Sequence, residues 1–157
     1  MITYIIIGIT VLVSYLCFNN AELFRKLALI PYRTVKNNEW YRLITHGFVH
    51  ADMTHLLVNM FTFWSFGTYI GNVFGYLGFG TWGFLGLYFG GMIFASIYDL
   101  VKHHNDPYYV SIGASGAVSA ILFSYILFDP WSKILLFAII PVPGIIFGVV
   151  YLAYCQY

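Results

Sequence analysis

Five apolar segments, each about as long as one membrane crossing, follow one another along this chain of 157 residues. They lie at about 2–18, 53–73, 81–101, 113–129 and 133–157. A helix that crosses the hydrocarbon core of a bilayer, about 30 Å thick, needs about 20 predominantly apolar residues. We therefore predict an all-α, polytopic membrane protein, a helix bundle with five transmembrane helices in a single domain.

The composition excludes the other common classes of protein of this size. Hydrophobic residues make up 61% of the chain and charged residues 8%, against about 45–50% and about 25% in soluble domains. A soluble globule this small could not bury so much apolar surface. The net charge of +1 provides no basic field for nucleic acid, so we expect the lipid bilayer as a partner and no nucleic acid. Cys17 and Cys155 are interpreted as buried thiols.

The polar segments between the apolar stretches are expected to be loops. The longest, 19–52, holds five of the seven Lys and Arg residues, and by charge alone it would face the cytoplasm. Four apolar residues within it fall on one helical face and predict a short helix on the membrane surface. They are Leu23, Phe24, Leu27 and Ile30. A glycine-rich turn is expected at 71–80 and a polar loop at 102–109.

Prolines and small residues within the spans predict how the helices bend and pack. Pro141 and Pro143 are expected to bend or break the fifth helix. Small residues four apart let helix backbones approach closely in lipid. The pairs expected to pack in this way are Gly86 with Gly90, Gly116 with Ala120, and Gly144 with Gly148.

Polar groups inside a membrane span are expensive and therefore point to function. His46 and His50 are four residues apart, and so are His55 and Asn59, so that each pair would share one helical face. A zinc site would need further ligands, and a zinc hydrolase would need the adjacent Glu that is missing here, so we expect no metal. Two interpretations stay open: histidines hydrogen-bonded within the bundle, or His and Asn donors that stabilise an oxyanion.

A second polar site stands at the beginning of the fourth span, where Ser115 lies between Gly113 and Gly116. Glycine permits a tight turn and the close approach of another backbone to the serine. A helix N-terminus also offers free N–H groups to a negative charge. Serine among small residues at a helix start is common as a cap, so this motif alone does not establish a nucleophile.

Taken together, the two sites resemble the rhomboid intramembrane serine proteases. The matching elements lie between about 39 and 120 and occur in the order of that family. They are the aromatic and arginine element at Trp40 and Arg42, the T-x-x-x-x-H motif Thr45–His50, the H-x-x-x-N pair of His55 and Asn59, and G-x-S-G at 113–116. The resemblance implies a rhomboid-like helix bundle.

The resemblance also implies a role for each matching residue. Ser115 would be the nucleophile, and His55 and Asn59 would donate to the oxyanion in the same water-filled cavity, with Gly113 and Gly116 shaping the site. The substrates would be transmembrane segments of other membrane proteins, and no cofactor is implied. The protein would be a multi-pass protein of a bacterial inner membrane, with its N-terminus in the cytoplasm, opposite to the orientation that loop charge indicates.

One element of the family pattern has no counterpart in this sequence. Rhomboids use a histidine of a sixth span as the general base, and no histidine follows Ser115. His103 and His104 lie in a polar loop, where nothing in the sequence fixes them near the serine. We therefore expect the general base beyond Tyr157, in a longer protein of which 1–157 is the first part. The alternatives are an inactive rhomboid-like protein that binds membrane clients, and a small transporter or channel.

Overall fold

The structure is a computed structural model that describes residues 2–136 and 139–155. Within these residues the chain forms helices and one antiparallel pair of strands. In chain order the elements are α1 (Ile2–Phe18), α2 (Ala21–Leu27), α3 (Pro31–Lys36), α4 (Arg42–Thr45), α5 (Met53–Tyr76), α6 (Gly80–His103), α7 (Ser115–Phe128), β1 (Lys133–Leu136), β2 (Ile140–Pro143) and α8 (Gly144–Cys155).

The first four apolar segments are helices, as predicted. α5 extends three residues beyond the predicted end of its span, so most of the expected glycine-rich turn at 71–80 is helical. The turn itself is three residues long, 77–79, and contains Gly78 at φ +81°. Glycine adopts this backbone conformation without the steric penalty that a side chain brings. α6 likewise extends into the predicted polar loop and ends at His103.

The prediction of a helix beginning at Lys133 is wrong for the first part of the fifth segment. Residues Lys133–Leu136 pair with Ile140–Pro143 as an antiparallel hairpin, and α8 begins only at Gly144. Proline lacks the N–H that a helix interior needs, whereas it is tolerated in strands with a free edge. Pro141 and Pro143 therefore exclude the helix before α8 rather than bending it.

Length and composition distinguish one helix of the described residues from the others. Gly80–His103 alone is both long and apolar enough, by these criteria, to cross a membrane. α1 and α7 are apolar but have 17 and 14 residues, and α5 has 24 residues but is interrupted by polar side chains. Many large apolar side chains point outward, among them Trp82 and Phe94 on α6, which are 84% and 78% exposed. This is the distribution expected of helices that face lipid.

α7 lies against both α5 and α6, and α1 packs against α5. The core between them contains Phe63 of α5, Phe84 and Tyr88 of α6, and Ile121 of α7, all essentially buried. The rings of Phe63 and Tyr88 lie 4.9 Å apart between their centroids. Buried aromatic rings at this distance add specific contact energy to the burial of apolar area.

Small residues allow α6 and α7 to approach closely. A Cβ placed on Gly91 would lie 2.4 Å from the Cβ of Ala120, and one on Gly116 would lie 2.5 Å from the Cβ of Ala95. The predicted packing role of Gly116 and Ala120 is thus confirmed, and their partners on α6 are Ala95 and Gly91. The predicted pair of Gly86 and Gly90 is wrong, since no described residue comes within 4 Å of a Cβ at either position.

The long segment before α5 is folded around a buried arginine. Arg42 is fully buried, and its guanidinium donates to the carbonyl oxygens of Arg25 and Ala28 and to the carboxylate of Glu39. Although partial burial works in the opposite direction, hydrogen bonds from Arg42 and Arg33 lower the pKa of Glu39. Because the guanidinium satisfies carbonyls of separate turns, it ties α2 to α4. We call the segment 19–52 the first loop.

The short helix predicted in the first loop is present as α2. Asn20 caps it by accepting the N–H of Leu23 at 2.9 Å. Leu23, Phe24 and Leu27 are half-buried on this helix, whereas Ile30 is buried outside it, as the residue that precedes α3. The helix is therefore shorter than the pattern of apolar residues indicated.

Candidate active site

The position of His55 follows from the cap of α5. Asp52 accepts the backbone N–H of His55 at 2.8 Å, which starts the helix at Met53 and places His55 in its first turn. Asn59 lies one turn further on the same face. Its amide nitrogen donates to the carbonyl oxygen of His55 at 3.0 Å, and its side chain is almost fully buried. The amide group carries a second N–H that this bond leaves free.

Ser115 is the first residue of α7, and a glycine brings it next to His55. Gly113 has φ +104°, a conformation that side chains rarely allow. A Cβ at this position would lie 2.9 Å from Cε1 and 3.1 Å from Nε2 of His55, so the imidazole lies directly against the backbone of Gly113. The structure therefore brings His55 to the segment that carries Ser115.

Backbone hydrogen bonds hold the segment before Ser115 against the first loop. Leu29 and Ser111 exchange two of them, at 3.0 and 2.9 Å, and the N–H of Gly113 donates to the carbonyl oxygen of His46 at 3.0 Å. The N–H of Ala114 donates to Nε2 of His50 at 3.5 Å. Sequence analysis missed all of these contacts, and the pairing between backbone groups leaves no residue signal that could have revealed it.

The two histidines of the first loop, His46 and His50, are buried and neutral. Burial, followed by the proximity of His55, lowers the pKa of His50 to about 4, and burial lowers the pKa of His46 as well. Nδ1 of His46 donates to the carbonyl oxygen of Arg42 at 2.7 Å. These histidines fit the first of the two interpretations from the sequence, hydrogen bonding within the fold, while His55 makes no such bond through its ring within the described part.

Comparison with known proteins now decides the family. The family model described as "Rhomboid domain" matches residues 37–157. This chain belongs to the rhomboid family. It is 30% identical to "RHOMBOID-like protein 12, mitochondrial" of Arabidopsis thaliana over 154 residues, which covers 88% of this chain and 44% of that protein.

Two further relatives come from a yeast and a bacterium. "Rhomboid protein 1, mitochondrial" of Saccharomyces cerevisiae is 36% identical over 107 residues, covering 65% of this chain and 29% of its own length. "Rhomboid protease GluP" of Bacillus subtilis is 30% identical over 125 residues, which covers 76% of this chain and 23% of that protein. The chain thus spans less than half the length of these relatives.

Membership in the family makes this rhomboid an integral membrane protein. The finer prediction of a bacterial inner membrane is not supported, because two of the relatives are mitochondrial by name. The helical structure agrees with a rhomboid bundle, although the described helices do not by themselves establish five membrane crossings.

A cavity of about 560 Å³ opens beside Ser115 in this rhomboid, between α6, α7 and α8. Its wall includes Ser115, Gly113 and Gly116 together with the polar side chains of His46 and Asp99. Neither His55 nor Asn59 lines it, so the expected sharing of one cavity by the serine and both donors is not seen. His55 meets the segment that carries the serine through Gly113 instead.

His103 and His104 are occupied elsewhere. The ring of His103 stacks on Tyr109 at 3.7 Å between centroids, and Nδ1 of His104 donates to the carbonyl oxygen of Val101 at 2.8 Å. Within residues 2–136 and 139–155, no histidine nitrogen forms a hydrogen bond with Oγ of Ser115. The same residues contain no group of three His, Cys, Asp or Glu side chains that could hold a metal.

Proposed function

We propose that this rhomboid is an intramembrane serine endopeptidase that cleaves transmembrane segments of other membrane proteins. The observation that carries the proposal is the arrangement at the beginning of α7. Ser115 is exposed to the cavity at a helix N-terminus without a side-chain cap, and the imidazole of His55 lies against Gly113 two residues before it. The bacterial relative named a rhomboid protease supports the same reaction class.

Ser115 would act through its hydroxyl oxygen. Oγ attacks the carbonyl carbon of the scissile peptide and gives its proton to a base, and the new C–O bond converts the carbonyl oxygen to an oxyanion. Collapse of this intermediate breaks the C–N bond, and the base returns the proton to the leaving amine. Water then attacks the acyl-enzyme and gives a proton to the base. When the ester C–O bond breaks, the base returns that proton to Oγ of Ser115.

Three donors would stabilise the oxyanion. They are the free backbone N–H of Ser115 at the start of α7, an imidazole N–H of His55, and the second amide N–H of Asn59. Preorganised donors in a site of low dielectric constant stabilise an oxyanion more than the same donors in water, because they need no reorganisation during the reaction. Gly113 would keep the backbone close enough to His55 for these donors to converge.

The general base would come from outside the described residues and would reach Ser115 through the cavity. His55 already lies against Gly113, and Leu29 and His46 of the first loop bond the backbone of the segment that carries the serine. A histidine beyond Tyr157, on a helix seated between α6 and α8, would meet this requirement. We also propose that α1, α5, α6, α7 and α8 are the five helices that cross the bilayer, with the N-terminus on the cytoplasmic side.

Covalent labelling with a fluorophosphonate tests the proposal. The full-length protein should be labelled at Ser115, and Ser115→Ala should abolish labelling while leaving the unfolding temperature nearly unchanged. Ser119→Ala is the matched control, since Ser119 lies one turn further in α7 and lines the same cavity, where it hydrogen-bonds Tyr151 at 3.2 Å. Labelling that persists in Ser115→Ala, or folded full-length protein that never reacts, would contradict the proposed protease.

One observation favours a second function, an inactive rhomboid-like protein that binds membrane clients. No histidine of the described part forms a hydrogen bond with Ser115 Oγ, so a protein limited to these residues would lack proton transfer. Such a protein would retain transmembrane clients in a detergent pull-down without cleaving them. Retention that is equal in the wild type and in Ser115→Ala, with no product in either, would favour this function.

A further inference from the structure

We propose that His50 is a positioning residue of this site, which holds the Gly113–Ala114 peptide, next to Ser115, against α1 as a neutral imidazole with its proton on Nδ1. The inference rests on the proposed function for its catalytic consequence. His50 is neither one of the proposed oxyanion donors nor the nucleophile. His50 is fully buried and touches three parts of the fold: α1, the beginning of α7, and the ring of His55.

The hydrogen bonds of Ser14 determine which nitrogen of His50 carries the proton. Oγ of Ser14, on α1, lies 2.9 Å from the carbonyl oxygen of Phe48 and 2.9 Å from Nδ1 of His50. The carbonyl oxygen can only accept, so the single hydroxyl proton of Ser14 points to Phe48. Oγ must then accept from His50, and the imidazole proton is on Nδ1.

The other nitrogen of His50 leads to the same tautomer independently. Nε2 faces the backbone N–H of Ala114 at 3.5 Å. A backbone N–H can only donate, so Nε2 must offer a lone pair. An imidazolium would set one N–H against another, and full burial also disfavours the charged ring. Both contacts are satisfied together only by the neutral ring protonated at Nδ1.

The contact with Ala114 orients the backbone beside Ser115 and contributes little to stability. At 3.5 Å it is a long hydrogen bond and by itself a weak one. Ala114 is the N-cap residue of α7, and no side chain caps this helix. Holding the N–H of Ala114 fixes the Gly113–Ala114 peptide plane, one residue before Ser115, and so limits the directions in which the N–H and hydroxyl of Ser115 can point.

The same ring also limits the movement of His55. The centroids of the two imidazoles lie 4.9 Å apart, with the planes at 71° in an edge arrangement. His50 thus contacts the side chain of one proposed donor and the backbone beside the nucleophile. Since it touches neither substrate nor reacting atoms, its effect on the reaction is through position. A misplacement of about 1 Å at a reacting centre can cost about a hundredfold in rate.

Two substitutions separate the two hydrogen bonds of His50. In His50→Gln the longer side chain can present Oε1 where Nε2 stands and still accept from Ala114. In His50→Asn the amide Nδ2 can donate to Ser14 as Nδ1 does, but the side chain is too short to reach Ala114. Both variants lose the aromatic ring, so their difference reports which hydrogen bond is kept, the one with Ala114 or the one with Ser14, rather than the loss of the ring.

The experiment measures Ser115 labelling by fluorophosphonate and the hydrogen exchange of the Ala114 amide in the full-length protein. We expect His50→Asn to be labelled at least about tenfold more slowly than His50→Gln, with faster exchange at Ala114 and similar unfolding temperatures. Equal labelling and equal exchange in the two variants would overturn the proposal. If both unfold, Ser14→Ala takes their place, and it should change the tautomer population of His50.

A measurement that needs no activity separates this inference from the proposed function. Nitrogen-15 NMR of histidine should show His50 at neutral pH with Nδ1 protonated and Nε2 bare. The opposite tautomer, or a charged ring, would overturn the inference whatever the enzyme does. If the tautomer and the exchange difference are found while the wild type is never labelled, the proposed protease fails and the positioning contact stands.

Discussion

The two groups of histidines in this rhomboid have opposite surroundings. His46, His50 and His55 lie at the junction of the first loop, α5 and α7, where other segments of the chain meet each of them. His103 and His104 lie at the end of α6, and their partners are residues within six positions along the chain. The first group is placed by the tertiary fold and the second by its own helix end.

This difference explains why only the first group belongs to the candidate site. A side chain contributes to catalysis when contacts from several elements fix it within a fraction of an ångström of its working position. Gly113, Ala114 and the carbonyl oxygen of His46 supply such contacts around Ser115. The loop pair has no contact of this kind with the serine in the described residues.

The largest effect is expected at the contact between His55 and Gly113. Gly113→Ala adds a Cβ 2.9 Å from Cε1 of His55 at a backbone φ of +104°, so either the ring or the segment must move. We expect labelling of Ser115 to be lost and the free energy of unfolding to fall by about 1–3 kcal/mol. Gly86→Ala in α6, where a Cβ meets nothing within 4 Å, is the control. Normal labelling of Gly113→Ala would show that the contact with His55 is dispensable.

The next effect concerns the donor one turn from His55. Asn59→Ala should lower kcat on a transmembrane substrate by about 10²–10³-fold, because a donor of the oxyanion is lost, and should change KM little. Steady-state kinetics in liposomes measure both constants. Asn105→Ala provides the comparison, since Asn105 is exposed and bonds only His104 among the described residues. Unchanged kcat in Asn59→Ala would remove Asn59 from the mechanism.

A smaller, graded effect is expected from pH. The folded pKa of His50, about 4, is below its value of 6.5 when unfolded, so between these values the unfolded chain binds more protons. Stability should therefore fall as pH decreases from about 6.5 to about 4, by up to about 1.4 kcal/mol per pH unit for this group. His55 and Asp52 are the charged or titratable groups that act on it.

Unfolding temperatures between pH 7 and pH 4.5 check this expectation. The wild type should lose stability over this range more steeply than His50→Gln, which has no titratable group at that position. The slope left in the variant comes from other groups, among them His46, whose pKa is also lowered by burial. Identical slopes in the two proteins would mean that His50 does not titrate as its buried position requires.

The smallest effect should come from the loop pair. His103→Ala and His104→Ala are expected to leave fluorophosphonate labelling of Ser115 unchanged, because their rings are engaged with Tyr109 and Val101. His55→Ala, measured in parallel, should slow it. A loss of labelling in either loop variant would remove the distinction between the two groups and make that histidine a candidate for the missing base.

The sequence by itself was sufficient for the class of protein, most helices and the family. Apolar segments of crossing length predict helices because a chain in lipid must satisfy its backbone hydrogen bonds internally. The motifs that contain His55, Gly113 and Ser115 indicated a site, and the structure places the imidazole of His55 against Gly113, two residues before Ser115. These features are local, and short-range spacing along the chain expresses them directly.

Only the tertiary structure decided the hairpin before α8, the partner of Gly116 and the surroundings of His50. The hairpin depends on which strand is available to pair with Pro141 and Pro143. Gly91, rather than Gly86 or Gly90, meets α7 because the rotation of α6 about its axis is set by its neighbours. His50 bonds Ser14 and Ala114, which are 36 and 64 residues away. Contacts across such separations arise from packing, and no local pattern of residues encodes them.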